Sequence, residues 1–145
     1  MSEQRQESLQ NNPNLSKKDV KIVEKILSKN DIKAAEMKER YLKEGLYVLN
    51  FMSSPGSGKT TMLENLADFK DFKFCVVEGD LQTNRDADRL RKKGVSAHQI
   101  TTGEACHLEA SMIEGAFDLL KDEGALEKSD FLIIENVGNL VCLLY

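Results

Sequence analysis

Two spacings of apolar residues divide the chain. Val20, Val23, Ile26 and Leu27 recur at intervals of three and four, the period that puts side chains on one helix face. Ser16, with Asp19 three residues on, has the form of a capping box that starts this helix. A second start at Asn30-Asp31 opens a run through Leu42 that Gly45 closes. Residues 15–45 therefore predict two short amphipathic helices. The polar stretch before them, residues 1–14, offers nothing to bury and reads as a flexible tail.

From Leu46 the period changes. Residues 46–52 read as a buried strand, followed by a Gly/Ser loop and a helix over residues 59–67. Residues 72–77 predict a second strand, 86–93 a polar helix ended by Gly94, and 95–100 a short third strand. A long helix over residues 105–121 puts Leu108, Met112, Ile113, Ala116, Phe117 and Leu120 on one face, and residues 131–134 form the last strand. Strands alternating with helices imply a parallel sheet with right-handed crossovers, an α/β fold. Residues 46–145 are read as this domain.

Length and charge narrow the class. A chain of 145 residues suits one domain with a real core. Its net charge of −4 argues against binding nucleic acid through phosphate neutralisation. Residues 1–45 are nonetheless mildly basic, with ten Lys and Arg against eight Asp and Glu, which reads first as a solvated helical face. No apolar stretch approaches the roughly 20 residues of a membrane helix, and the polar start lacks the core of a secretion signal. A cytoplasmic location is expected, with no membrane and no nucleic acid as partner. Cysteines at 75, 106 and 142 make no disulfide framework and are read as thiols.

The loop SSPGSGKTT, residues 53–61, carries the strongest chemical signal. Such a loop turns successive backbone N–H groups toward one point at a helix N-terminus and makes a nest for phosphates. Gly56 and Gly58 permit its backbone angles, Lys59 reaches the terminal phosphates, and the Thr60 hydroxyl ligates Mg²⁺. Pro55, Ser57 and Thr61 complete the nucleotide-binding stretch. The strict pattern begins with glycine, where this chain has Ser53. The chain is thus expected to be an α/β P-loop NTPase with short N-terminal helices ahead of the sheet. Magnesium needs further oxygen ligands, which such enzymes take from carboxylates at strand ends. Asp80 and Glu135 stand at such ends, although a lone carboxylate there is often merely solvated.

Cys106 and His107 adjoin at the start of the long predicted helix. As an isolated pair they are a weak signal, because helix neighbours point about 100° apart and a buried cysteine is commonly a small hydrophobe. Cys142 adds a thiolate, and thiolate with imidazole suits zinc, copper or nickel. Three ligands leave the site incomplete, and a second copy across a two-fold axis could complete it. Cys75, inside an apolar strand, is read as packing, and His98 as a surface or strand residue with no evident partner.

MSSPGSGKTT, VVEGDLQTNRDADR, TTGEACHLEA and ENVGNLVC, in this order and spacing, resemble the HypB family of nickel-incorporation GTPases, which serve [NiFe]-hydrogenase and in some bacteria urease. The resemblance implies GTP and GDP as ligands of the loop. It places Thr60 and Asp80 on Mg²⁺, and Glu135 and Gly138 in an ExxG motif sensing the γ-phosphate. Lys59, Asp80 and Glu135 would be the catalytic residues. Cys106, His107 and Cys142 would hold Ni²⁺ or Zn²⁺ at the interface of a homodimer dependent on nucleotide or metal. A HypA-type nickel chaperone would dock on the basic N-terminal helices. Residues 1–45 contain no Cys or His, so the N-terminal nickel store of some members is not expected. The family continues through further strands and an NKxD guanine-selecting loop, so the chain reads as C-terminally truncated, with C-terminal strands missing. The alternatives are a non-catalytic metal-binding remnant and an ATP-dependent P-loop kinase.

Overall fold

The computed structural model describes residues 3–54, 56–80, 85–102 and 108–136. Four strands, β1 (Tyr47–Phe51), β2 (Phe74–Asp80), β3 (Ala97–Thr101) and β4 (Phe131–Glu135), form a parallel sheet in the order β1-β4-β2-β3. Helices α1 (Glu3–Gln10) and α2 (Lys17–Lys43) precede it, and α3 (Lys59–Ala67), α4 (Arg85–Lys92) and α5 (Ala110–Asp122) lie between strands.

Alternation along the strands feeds two cores. Cys75, Val77, Leu132 and Ile134 face Met37 of α2 and Ala116, Phe117 and Leu120 of α5. Phe74, Val76 and Ile133 face Leu63 of α3 and Ala87 and Leu90 of α4. Because both faces are covered, β2 and β4 read as unbroken apolar runs rather than alternating ones. Phe117 is fully buried and touches Tyr41 of α2 at 5.4 Å between ring centroids; its truncation to alanine would cost about 3–5 kcal/mol.

The N-terminal region differs from the expectation of two helices after a tail. Residues 17–43 form one continuous helix, and Glu3–Gln10 is helical as well. The capping box is present, with the Asp19 N–H donating to Ser16 Oγ at 3.2 Å and the Ser16 N–H to Asp19 Oδ2 at 3.0 Å. The second start fails because no glycine or proline interrupts α2, and an asparagine inside a helix costs only tenths of a kcal/mol, about 0.7 at most. Asn30 caps another helix instead: its Oδ1 accepts the Ala110 N–H, at the head of α5, at 2.9 Å. Gly45 closes α2 at φ 70°, with the Leu46 N–H bonding back to the Tyr41 carbonyl at 3.0 Å.

Other boundaries shift by one or a few residues, three of them for a visible reason. Strand β2 runs on from the expected Val77 to Asp80 because β3 pairs with it to its end and β4 as far as Glu78. Strand β3 starts at Ala97 because the Val95 N–H is engaged by the Leu90 carbonyl in closing α4. Helix α5 begins at Ala110, and residues 103–107, the start of the expected longer helix, lie outside the described residues. Among the described residues no helix is long and apolar enough to cross a membrane.

Candidate functional site

The loop between β1 and α3 opens at the C-terminal edge of the sheet. Gly56 and Gly58 take φ of 74° and 91°, a left-handed backbone that favours glycine. No atom lies within 4 Å of a Cβ built at either, so backbone conformation alone demands glycine there. Gly58 is the N-cap of α3, and no side-chain cap bond covers that helix start. The first-turn N–H groups are thus presented toward the loop, where an anion is attracted. Ser53, which stands in place of the usual first glycine, hydrogen-bonds its hydroxyl to that of Ser57 and bridges the loop's base.

Lys59 is held inside this loop. Its Nζ donates to the Ser53 carbonyl at 3.2 Å and stands 4.0 Å from Glu135 Oε1, with 13% of its side chain exposed. Thr60 is buried at the helix start. Thr61 is turned away: its hydroxyl accepts from Arg89 of α4, which also pairs with Glu64 and Asp86. The Glu64 carboxylate beside it holds the Arg89 guanidinium above its usual range.

The sheet register supplies the acidic side. Phe51, Glu135, Glu78 and Gln99 form one transverse row across β1, β4, β2 and β3, with neighbouring strands roughly 4.8 Å apart. Glu78 and Glu135 are 2% and 5% exposed. Glu78 escaped the sequence reading because the second strand was ended at Val77; an apolar run that continues through a carboxylate into Gly79 was the available signal. Asp80 is the last residue of β2 rather than lying beyond it, and Glu135 closes β4 as expected.

Asn136, which follows Glu135 in the ExxG stretch, is buried and accepts the Leu108 N–H on Oδ1 at 3.0 Å. Pro55, Cys106, His107, Gly138 and Cys142 lie outside the described residues. Among the described residues no three His, Cys, Asp or Glu are arranged to hold a metal ion. Cys75 packs as expected: it is fully buried, and burial pushes its thiol up to about 11. His98 does have a partner, Glu123 Oε1, 2.8 Å from its Nε2.

A parallel sheet with helices on both faces, and a left-handed glycine loop running from the first strand into a helix headed by lysine and threonine, define a P-loop NTPase fold. The chain belongs to the CobW/HypB/UreG family, whose nucleotide-binding-domain model matches residues 47–143. It is 99% identical over 142 residues to the hydrogenase/urease maturation factor HypB of Helicobacter pylori strain J99, covering 98% of this chain and 59% of that protein. Identity to the factor of the same name from Helicobacter hepaticus is 66% over the same shares. The crystal structure of hydrogenase maturation factor HypB from Archaeoglobus fulgidus superposes with a TM-score of 0.66 at 35% identity, covering 79% of this chain and 55% of that one. The chain therefore spans a little over half the length of these relatives.

Proposed function

We propose that the chain is the nucleotide-binding part of a GTP-dependent nickel metallochaperone for maturation of [NiFe]-hydrogenase, and of urease where present. The observation that carries this reading is Lys59 at the head of α3, beside the Ser53 carbonyl and Glu135, in a loop whose glycines take the left-handed backbone. A lysine so placed exchanges the carbonyl for phosphate oxygens when a nucleotide enters, and the loop N–H groups share the remaining charge. The relatives' name as hydrogenase/urease maturation factors supports the biological setting.

The donors near the loop fit magnesium, because hydroxyl and carboxylate oxygens are hard ligands. Thr60 and Asp80 would hold it, and it would supply charge stabilisation on the β- and γ-phosphates. Glu135, 4.0 Å from Lys59, is the residue whose surroundings change when that lysine leaves for phosphate, which suits the γ-phosphate-sensing role it shares with Gly138. Nickel or zinc is the cargo, taken by Cys106, His107 and Cys142 at a homodimer interface. A HypA-type chaperone would dock on α2, where Lys18, Lys21, Lys25 and Lys29 are exposed, while Lys33 and Arg40 are engaged by Glu114.

Titration with fluorescent GTP and ATP analogues tests the reading. Because the sequence contains no NKxD guanine-selecting motif, both analogues are expected to bind through their phosphates, and Lys59→Ala to weaken each by about 10–100-fold, the loss of a charged hydrogen bond. Absence of binding, or binding undiminished in Lys59→Ala, refutes the nucleotide role. Nickel binding undiminished in Cys142→Ala refutes the cargo site.

A further inference from the structure

The ladder between β2 and β4 ends at the Glu78–Glu135 pair. Gly79 and Asp80 continue along β3, and the Asn136 N–H donates to the Phe51 carbonyl of β1 at 2.9 Å. Asp80 and Glu135, the residues of the nucleotide reading, thus close adjacent strands.

One residue from outside the sheet touches both strand ends. Leu108 donates its backbone N–H to Asn136 Oδ1 at 3.0 Å. Its side chain rests on Gly79 so closely that a Cβ there would lie 2.8 Å from Leu108 Cγ and 3.0 Å from both δ-carbons. Leu108 and Asn136 are 7% and 8% exposed. Gly79 separates Glu78 from Asp80, and Asn136 follows Glu135.

We propose that Asn136 and Leu108 are positioning residues: with Gly79 they latch the ends of β2 and β4 together and so fix the strand ends from which Asp80 and Glu135 serve a magnesium–nucleotide complex. This rests on the nucleotide reading above. Without the latch the glycine loop and Lys59 would still be present to cradle phosphates. The metal-dependent part of the affinity would suffer, as it does when groups that orient ligands are removed.

The test is fluorescent GTP-analogue binding by the 145-residue chain in EDTA and in Mg²⁺. In the parent, Mg²⁺ tightens binding. In Asn136→Ala and Leu108→Ala that tightening is expected to fall about tenfold or more, with affinity in EDTA little changed, and Leu108→Met, which keeps the contact on Gly79, is expected to retain it. Hydrogen exchange on the parent is the second measurement: protection of the Leu108 amide should rise when Mg²⁺ and nucleotide are both present. Full Mg²⁺ tightening in both alanine variants overturns the latch and leaves the nucleotide reading intact. Should those variants not fold, unchanged Leu108 protection in the parent overturns it. A parent that binds no nucleotide defeats both.

Discussion

Adding one methyl group at Gly79 probes how tightly Leu108 is wedged against β2. The built Cβ stands 2.8 Å from Leu108 Cγ, whereas carbon atoms rest at about 3.5–4.0 Å, so an opening of roughly 1 Å is required. Leu108 has little room to yield, since it is buried and its N–H is held by Asn136. Overpacking of this kind costs about 1–3 kcal/mol, offset in part by the roughly 0.5–1 kcal/mol that alanine gains over glycine in a strand. Gly79→Ala should therefore lose about 1–2 kcal/mol and lower Tm by about 3–8 °C. Leu108→Ala alone should lose about 2–4 kcal/mol through its cavity. In the double variant the new methyl occupies vacated space, so its loss should fall short of the sum of the two single losses by about 1–3 kcal/mol. Urea unfolding followed by far-UV circular dichroism, with m unchanged, gives all four corners of the cycle. Losses that add to within about 0.5 kcal/mol would show that the two residues do not press on each other.

Two further outcomes follow from local chemistry. Ser16→Ala removes the capping box of α2 and should cost about 1 kcal/mol, read as a lower urea midpoint; no change would mean that packing alone sets where the helix starts. Cys75, pushed up to about 11 by burial from 9.0, stays protonated in the folded chain while the unfolded chain ionises, so stability is complete below pH 9 and falls as pH rises toward 11, by about 2–3 kcal/mol. The assay is urea unfolding across that range against Cys75→Ala, which should lack this part of the slope; matching slopes refute the assignment.

What the sequence disclosed is what local chemistry determines. Helix α3 runs from Lys59 to Ala67 as read, because a glycine pair ahead of it and an apolar face within it leave no competing start. The apolar runs of β2 and β4 were legible because both faces are buried. The carboxylate at Glu78 was not, since a charged residue inside a run reads as its end when the strand's neighbours are unknown. Its place is known only from register, between Glu135 and Gln99.

Helix α5 shows why some boundaries lie beyond local signals. Glu109 at its N-cap makes no side-chain cap bond, so nothing in its own sequence marks where it begins. N–H groups at and just before its start are met from a distance instead: Asn30, 80 residues earlier, accepts from Ala110, and Asn136, 28 residues later, accepts from Leu108. Both asparagines look misplaced in sequence, one in mid-helix and one at the end of an apolar strand. A polar side chain that interrupts an apolar pattern without ending its element is satisfied by another element. Here the two interruptions meet the same short segment, one from α2 and one from the end of β4. The start of α5 is therefore fixed by tertiary partners as well as by its own local bonds, which is why its sequence alone does not mark it.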